Sequence, residues 1–372
     1  MILQKLWFAE DGYEKMENCL SELKVKCLLL VHGERSYEKL GFREAFDDIT
    51  KRNGIRVVHF TDFKPNPDVS SVVEGVKRFQ KEKPDFLMAV GGGSAIDVAK
   101  CVKLYAKADT DENLLAQKDC CVDIPFAVMP TTAGTGSEAT RFAVIYENGE
   151  KQSVTSEYFI PNMVLFAPAT LGFLPMKQRK ATFLDALSHA VESYWSVNAN
   201  EESRAYAGEA IRLLMANTGY IETQEKFGRH DLLQYAAYLA GKAINISQTT
   251  AGHAMCYKLT SLFGLPHGQA TFLCVVRLWR YMQSVESMQT VLREIAGCMG
   301  YEKSEAAVSE MEDMLRRWKI IEKLKSEADE DYEQVLHQLV TSVNQTRLKN
   351  HPVTLPDEIL QDLYRKILAG VF

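Results

Sequence analysis

Three histidines and one aspartate have the residue types and spacing of a divalent-metal site. Asp185 and His189 are four apart in TFLDALSHAVESYW, so on a helix both side chains lie on one face. His253, on a predicted helix, and His267, after a proline turn, follow in GHAMCYKLTSLFGLPHG. One carboxylate with three imidazoles suits Fe²⁺ or Zn²⁺, because nitrogen donors favour these ions over Mg²⁺ and Ca²⁺. A lone histidine in an apolar stretch is more often a core residue, but three of only eight histidines lie here.

A run of glycines, PDFLMAVGGGSAIDVAK, has the layout of a phosphate site. The predicted strand delivers Gly91, Gly92 and Gly93, whose backbones can approach a ligand without a side chain in the way. A helix then begins at Ser94, and its free N–H groups and positive dipole end favour an anion. Asp97 can cap these donors or hydrogen-bond a ligand. The alternative is a tight strand-to-helix turn, since the spacing is not GxGxxG.

A second polar loop, PTTAGTGSE at residues 130–138, follows the next predicted strand. Seven of its nine residues are Thr, Ala, Gly or Ser, which suits a pyrophosphate or a nicotinamide carboxamide. An ordinary surface loop is the alternative. Two such loops on adjacent strand ends favour a dinucleotide, because ligands of parallel sheets bind at the carboxyl ends of the strands.

The segment VHGERS, at the end of the first predicted strand, is where a dinucleotide-binding domain is expected to recognise the ribose of its cofactor. An acidic residue there would hold a 2′-hydroxyl and repel a 2′-phosphate, but this chain has Gly33. Ser36 can donate a hydrogen bond and Arg35 can pair with a phosphate. NADP(H) is therefore favoured over NAD(H), unless Arg35 is only a solvated turn residue.

The sequence pattern predicts two different domains, one that carries the candidate cofactor loops and one that carries the candidate metal ligands. Up to about residue 178, short apolar runs alternate with helical stretches, which predicts a parallel sheet covered on both faces. A hairpin is predicted at residues 142–154 around Asn148-Gly149. Beyond residue 178 the spacing is near 3.6 throughout. We predict an α/β Rossmann-like dinucleotide-binding domain at 1–178 and an all-α metal-binding domain at 179–372.

Composition limits the class of partner. A net charge of −6 gives no reason to expect nucleic acid or an anionic membrane. We expect no signal peptide and no membrane span. The eight cysteines form no CxxC pair, which fits reduced thiols and a cytoplasmic protein. A homodimer is the expected assembly, as the commonest oligomer. The remaining histidines His230, His337 and His351 have polar neighbours and are expected at the surface.

Taken together, these motifs resemble the iron-containing (group III) alcohol dehydrogenase family. GGGSAIDVAK, PTTAGTGSE, DALSHAVESYWS and GHAM…GLPHG occur in that order over nearly the whole chain. The resemblance implies an active site in a cleft between a Rossmann-like domain and a helical domain. It also implies metal ligands at Asp185, His189, His253 and His267. Cofactor contacts are implied at Asn66, Gly91, Gly92, Gly93, Ser94, Asp97, Thr131, Thr132, Thr135, Ser137 and Lys151.

The chain departs from that family's pattern at two places. Many members have a further histidine four residues after the third ligand, where this chain has Tyr257. The usual Asp-Pro after the late strand is Ala167-Pro168. The first departure puts the standard proton donor in doubt. The candidates in its place are water and Tyr257, the latter assisted by the metal or by Lys258. A phenol has a reference pKa near 10, so it needs such help to donate a proton.

A narrower resemblance concerns the substrate. SEATRFAVIY, ESYWSVNANEESRAYA and HAMCYKLTSLFGLPHG are similar to the phosphonoacetaldehyde reductase branch, which reduces an anionic aldehyde to a hydroxyalkylphosphonate. Lys258, Arg141 and Lys151 are the candidate cations for such a substrate, or else surface, cofactor-facing or structural cations. Three alternatives remain open: a butanol-type dehydrogenase, a dehydroquinate synthase-like cyclase, and a binding protein without catalysis.

Overall fold

The computed structural model describes residues 4–33, 37–38, 42–118, 120–222, 229–321 and 332–371. Arg35 and Ser36, part of the predicted ribose site, lie outside the described residues. The chain divides into two compact units, Met1–Leu174 with Glu225–Gln234 and Pro175–Gln224 with Tyr235–Phe372. The sequence analysis predicted the boundary between the two domains at residue 178.

The first unit is built on a six-stranded parallel sheet in the order β1-β8-β5-β4-β2-β3. Its central strands are apolar at almost every position and buried on both faces, as in CLLLVH and FAVMP. The strands are β1 Lys5–Phe8, β2 Cys27–His32, β3 Arg56–Phe60, β4 Phe86–Gly91, β5 Phe126–Pro130 and β8 Met163–Phe166. The predicted parallel sheet is confirmed, and β1 is an edge strand that the sequence pattern did not reveal.

Helices cover this sheet. They are α1 Ala9–Glu22, α2 Phe42–Arg52, α3 Val69–Glu82, α4 Gly93–Leu104 and the short α5 Ala169–Gly172. The predicted hairpin forms from β6 Phe142–Glu147 and β7 Glu150–Thr155, paired antiparallel. Asn148 and Gly149 both have positive φ, 52° and 81°, as a tight two-residue hairpin turn requires.

The second unit is helical throughout the part that the structure describes, as predicted. Its helices are α6 Met176–Trp195, α7 Glu201–Ala216, α8 Thr218–Glu222, α9 His230–Ser247, α10 Ala251–Phe263, α11 His267–Met282, α12 Gln289–Cys298, α13 Ser304–Arg317, α14 Tyr332–Thr341, α15 Gln345–Leu348 and α16 Asp357–Leu368. The first residues of α9, up to Gln234, belong to the first unit. Helices α6, α10 and α11 pack closely on one another and carry the residues of the predicted metal site.

Two further expectations concern the described residues. No helix among them combines the length and the apolarity needed to cross a bilayer. All eight cysteines are free thiols, as the absence of a pairing pattern predicted.

Candidate metal centre and cofactor loops

The four predicted metal ligands meet at one point of the second unit. Asp185 and His189 project from one face of α6, and donor atoms of Asp185, His189 and His253 all lie within 4.8 Å of one another. The imidazole Nε2 atoms of His253 and His267 lie 3.7 and 3.8 Å from Asp185 Oδ1. Ligands bonded to one ion at 2.0–2.2 Å are about 3–4 Å apart, so these distances suit a shared ion.

Two of the donor atoms also lack the hydrogen bonds that buried polar atoms normally make. Asp185 Oδ1 and His253 Nε2 are buried and have no hydrogen-bond partner among the described residues. An orphaned carboxylate oxygen beside an orphaned imidazole nitrogen is costly unless a cation joins them. Burial raises the pKa of Asp185, but His189 and the other imidazoles outweigh it and hold that pKa below its usual value. The residues present therefore fit a divalent metal.

A buried carboxylate that the sequence analysis missed lies behind the site. Glu192 is fully buried and one of its oxygens bonds His253 Nδ1. The other accepts from Thr250 N at 2.9 Å and Thr250 Oγ1 at 2.7 Å. Burial raises the pKa of Glu192, but His253 and the hydrogen bond from Thr250 bring it down to about 2. The ionised carboxylate fixes the proton of His253 on Nδ1 and leaves Nε2 free to bind a metal.

Two glycines allow the three helices to approach so closely. A Cβ atom at Gly268 would lie 2.0 Å from the backbone oxygen of Ala181 and 2.7 Å from Asp185 Cβ. A Cβ atom at Gly252 would lie 2.6 Å from Val275 Cγ2 and 3.0 Å from Glu192. Each glycine is the chain neighbour of a metal-site histidine, so the close helix contact also sets the position of that histidine.

Tyr257 lies beside the metal ligands, as expected from its place on α10. Its ring is parallel to the ring of His267, at 4° and 6.2 Å between centroids. The guanidinium of Arg347, on α15, lies over the same ring at 5.8 Å. Lys258 is half-buried on the next position of α10. The His267 side chain is 37% exposed, so the site is accessible to solvent at this histidine.

In the first unit the two predicted cofactor loops lie side by side. Thr131 N donates to Gly91 O at 2.9 Å, because β4 and β5 are neighbouring strands. Cβ atoms placed at Gly92 and Gly93 would lie 3.1 Å from Thr132 Cγ2 and 3.0 Å from Thr135 Cγ2. The glycine backbone at the start of α4 therefore packs directly against the two threonines, and any larger residue at these positions would push the loops apart. The N–H groups at the start of this helix are the donors that suit a phosphate group.

The side chain of Asp97, on α4, links the same two loops. Its Oδ1 accepts from Ser137 Oγ at 2.6 Å and its Oδ2 from Val144 N at 3.0 Å. Burial raises the pKa of Asp97 more than the charges of Lys100 and Lys151 lower it. The carboxylate therefore joins the loops to each other, and its two oxygens are already used for this.

Lys100, which the sequence analysis did not single out, completes this network. Its ammonium is fully buried and contacts Ser137, Thr140 and Phe142, with the carbonyl oxygens at 2.6, 2.8 and 2.7 Å. Burial lowers the pKa of Lys100 to about 8, although Asp97 and Glu138 raise it. The only sequence signal was its position one turn after Asp97, on the same helix face.

The other predicted cofactor residues lie near these loops. Asn66 has a positive φ of 58°, and its N–H donates to Ser94 Oγ at 3.3 Å. Lys151 lies on β7 opposite Tyr146, close enough to Asp97 to lower its pKa. Gly33 follows β2, where the His32 and His59 ring nitrogens lie 2.9 Å apart. Burial lowers the pKa of His32 to about 4, so this pair is neutral at pH 7.

Comparison with known proteins agrees with this pairing of a cofactor-loop unit and a metal-ligand unit. The model of the family described as iron-containing alcohol dehydrogenase matches residues 4–168. The C-terminal model of the Fe-containing alcohol dehydrogenase family matches residues 180–368. The chain belongs to the iron-containing alcohol dehydrogenase family.

Individual relatives are 25–33% identical to the chain over the residues that align. Alcohol dehydrogenase 4 of Schizosaccharomyces pombe is 30% identical over 295 residues, which are 76% of this chain and 68% of that protein. Aldehyde-alcohol dehydrogenase 2 of Entamoeba histolytica is 33% identical over 286 residues, 70% of this chain but only 32% of that longer protein. Among solved structures, sulfoacetaldehyde reductase from Bifidobacterium kashiwanohense, in complex with NAD⁺, has a TM-score of 0.85. It is 25% identical, and 98% of this chain and 97% of that one are covered.

Some side chains of this alcohol dehydrogenase family member are placed differently from the sequence-based expectation. Arg141 pairs with Glu157 at 3.1 Å and lies over Phe142, which favours the alternative that it is a structural cation. His230 and His351 were expected at the surface, which is wrong, because they are only 2% and 5% exposed. The ring of His351 lies 6.0 Å from that of Trp195, far earlier in the chain, and no local pattern shows such a contact.

Proposed function

We propose that this protein reduces an aldehyde with a nicotinamide cofactor at a metal held by Asp185, His189, His253 and His267. The observation that carries the proposal is the convergence of the buried donor atoms of Asp185, His189 and His253 within 4.8 Å of one another. A bound divalent metal supplies Lewis-acid polarisation of a carbonyl, and a bound nicotinamide supplies the hydride. Fe²⁺ and Zn²⁺ both accept this donor set.

The side chains of the site prepare it for that chemistry. Asp185 contributes the negative charge, and the imidazoles contribute neutral nitrogens, which keeps the net charge of the loaded site positive. Glu192 fixes the orientation of His253 through its Nδ1 proton. Tyr257 holds a proton on Oη beside His267, and we assign it the donation of that proton to the product oxygen, with Lys258 assisting or water replacing it.

The nicotinamide cofactor is assigned to the loops of the first unit. Gly91, Gly92, Gly93 and Ser94 bind the pyrophosphate, and Thr131, Thr132, Thr135 and Ser137 line the second loop. Asn66, Lys151, Gly33 and Ser36 complete the binding residues. Asp97 acts by tying the loops together. We favour NADP(H) over NAD(H), because Gly33 places no carboxylate at the end of β2.

The substrate is proposed to be an anionic aldehyde, with phosphonoacetaldehyde and its product 2-hydroxyethylphosphonate as the specific assignment. Two observations support it: the three segments that are similar to phosphonoacetaldehyde reductases, and the likeness to a sulfoacetaldehyde reductase. Both substrates carry a strong acid group one carbon from the aldehyde. We further propose that the enzyme is a cytoplasmic homodimer.

The deciding experiment measures oxidation of NADPH and NADH by protein reconstituted with Fe²⁺ or Zn²⁺. Phosphonoacetaldehyde, sulfoacetaldehyde and butanal are compared by kcat/KM. We expect net NADPH oxidation that depends on metal, with the anionic aldehydes preferred. A strong preference for butanal would replace the substrate assignment by a butanol-type dehydrogenase. Absence of net nicotinamide oxidation with every aldehyde would point to a cyclase that returns the hydride or to a binding protein.

A further inference from the structure

Arg347 is held rigidly against the helix that carries His253 and Tyr257. Its short helix α15 is capped by Asn344, whose Oδ1 accepts from Arg347 N at 2.9 Å. Asn344 N in turn donates to Ala254 O of α10 at 3.2 Å. The guanidinium donates through Nη1 to Thr249 Oγ1 at 2.5 Å, just ahead of α10. The side chain is therefore fixed at both its backbone and its tip.

The charge of Arg347 is half-buried, and no carboxylate forms an ion pair with it among the residues that the structure describes. Several arginines of the same unit do have acidic partners, such as Arg280 with Glu312 at 2.5 Å and Arg212 with Glu209 at 2.7 Å. A partly buried guanidinium that has no acidic partner can bind an anion, because its five N–H donors match the geometry of tetrahedral oxyanions. Only one of these donors is used by Thr249.

Tyr257 connects this cation to the metal ligands. The guanidinium lies 5.8 Å from the centre of the Tyr257 ring, and the parallel ring of His267 lies 6.2 Å from it. An anion held by Arg347 would therefore lie beside Tyr257, whose ring is parallel to that of the candidate ligand His267. We propose that Arg347 binds the acid group of the substrate and so selects aldehydes that carry a sulfonate or phosphonate on the carbon next to the carbonyl.

Lys258 is a weaker candidate for the same role. It follows Tyr257 directly on α10, so its side chain leaves the helix about 100° away from that of Tyr257. Lysine also offers a mobile point charge, whereas the guanidinium of Arg347 is already oriented by Thr249. The inference rests on the proposed function, since it assigns the specificity of that same site.

The test compares Arg347→Gln with Lys258→Gln and with Lys349→Gln, which removes an exposed charge at the end of the same short helix. The probes are sulfoacetaldehyde, phosphonoacetaldehyde and neutral butanal, with steady-state kcat/KM measured for each. For Arg347→Gln, the ratio of kcat/KM for the anionic aldehydes to that for butanal should fall roughly 10- to 100-fold, mainly through KM. Lys349→Gln should keep the wild-type ratio.

The possible results separate this inference from the proposed function. An equal loss for anionic and neutral aldehydes would make Arg347 structural and overturn the inference. A rise in the KM of the nicotinamide with an unchanged aldehyde ratio would overturn it too, since the bound anion would be a cofactor phosphate. A larger loss of the ratio in Lys258→Gln than in Arg347→Gln would transfer the role to Lys258. If wild-type protein reduces none of the aldehydes, the proposed function fails first.

Discussion

Replacing Gly268 with alanine should damage metal binding without changing any metal ligand. The new Cβ atom would lie 2.0 Å from the Ala181 backbone oxygen and 2.7 Å from Asp185 Cβ. A carbon and an oxygen that are not bonded need at least 3.0 Å, so α11 must move away from α6 by about 1 Å. The obstacle is helix backbone, which cannot rotate aside as a side chain can.

The size of the effect follows from the geometry of metal binding. His267 begins α11 next to Gly268, and its Nε2 lies 3.8 Å from Asp185 Oδ1. Metal–ligand bonds tolerate about ±0.2 Å, so a 1 Å displacement removes His267 from the ligand set or strains the remaining three. Changes to residues that only support metal ligands lower affinity about 10- to 100-fold, and a loss in this range or above is expected. Overpacking should also cost about 1–3 kcal/mol of stability.

The measurement is competition for Zn²⁺ with a chromophoric chelator, together with thermal unfolding of the metal-free protein. Gly297→Ala is the matched control, because Gly297 lies within α12 and nothing is within 4 Å of its added Cβ. The control should bind Zn²⁺ as wild type does and be more stable by about 0.5–1 kcal/mol. Wild-type Zn²⁺ affinity in Gly268→Ala would refute the link between close helix packing and the ligand positions.

Three further predictions concern the same two units. Glu192→Gln should lower Zn²⁺ affinity about 10- to 100-fold in the same competition assay, because His253 loses its carboxylate partner; an unchanged affinity would contradict this. Added Zn²⁺ should raise the unfolding temperature with its concentration and excess chelator should reverse this, since the metal binds only the folded site; no shift would argue against a metal centre. Burial raises the pKa of Glu138 from 4.5 to about 7, so the folded protein holds the neutral form over a pH range in which the unfolded chain is already ionised. The free energy of unfolding should therefore fall by about 3 kcal/mol as the pH rises from 4.5 to 7. Glu138→Gln should lack this loss in urea unfolding at pH 4.5 and 7, and an identical loss in the variant would assign it to other groups.

Periodicity and apolar runs were sufficient for the class of fold. Strands such as CLLLVH are apolar at almost every position, so they predict a sheet that is buried on both faces. Strand β1 was missed because it has only four residues and lies at the sheet edge, with mixed burial. The helices of the second unit were predictable because each carries an apolar stripe of period 3.6.

The metal ligands were likewise recognisable from the sequence, because they are rare residue types at helical spacing in apolar segments. The network around Lys100 was not, since a lysine in a helix is normally a solvated surface residue. Its burial follows from three carbonyl oxygens that residues 137–142 bring to it. Those contacts join positions about 40 residues apart, which the order of residues does not show.

The sequence by itself was sufficient to predict the two kinds of unit, the two candidate cofactor loops and the four candidate metal ligands, because local spacing and residue chemistry carry that information. Only the tertiary structure decided what surrounds the ligands. It placed Glu192 behind His253, it made Gly268 and Gly252 the points of closest helix approach, and it brought Arg347 to Tyr257 from 90 residues away. These relations depend on which helices pack together and at what distance. The neighbours of a side chain across such a contact are set by three-dimensional packing, and no periodic pattern in the sequence predicts them.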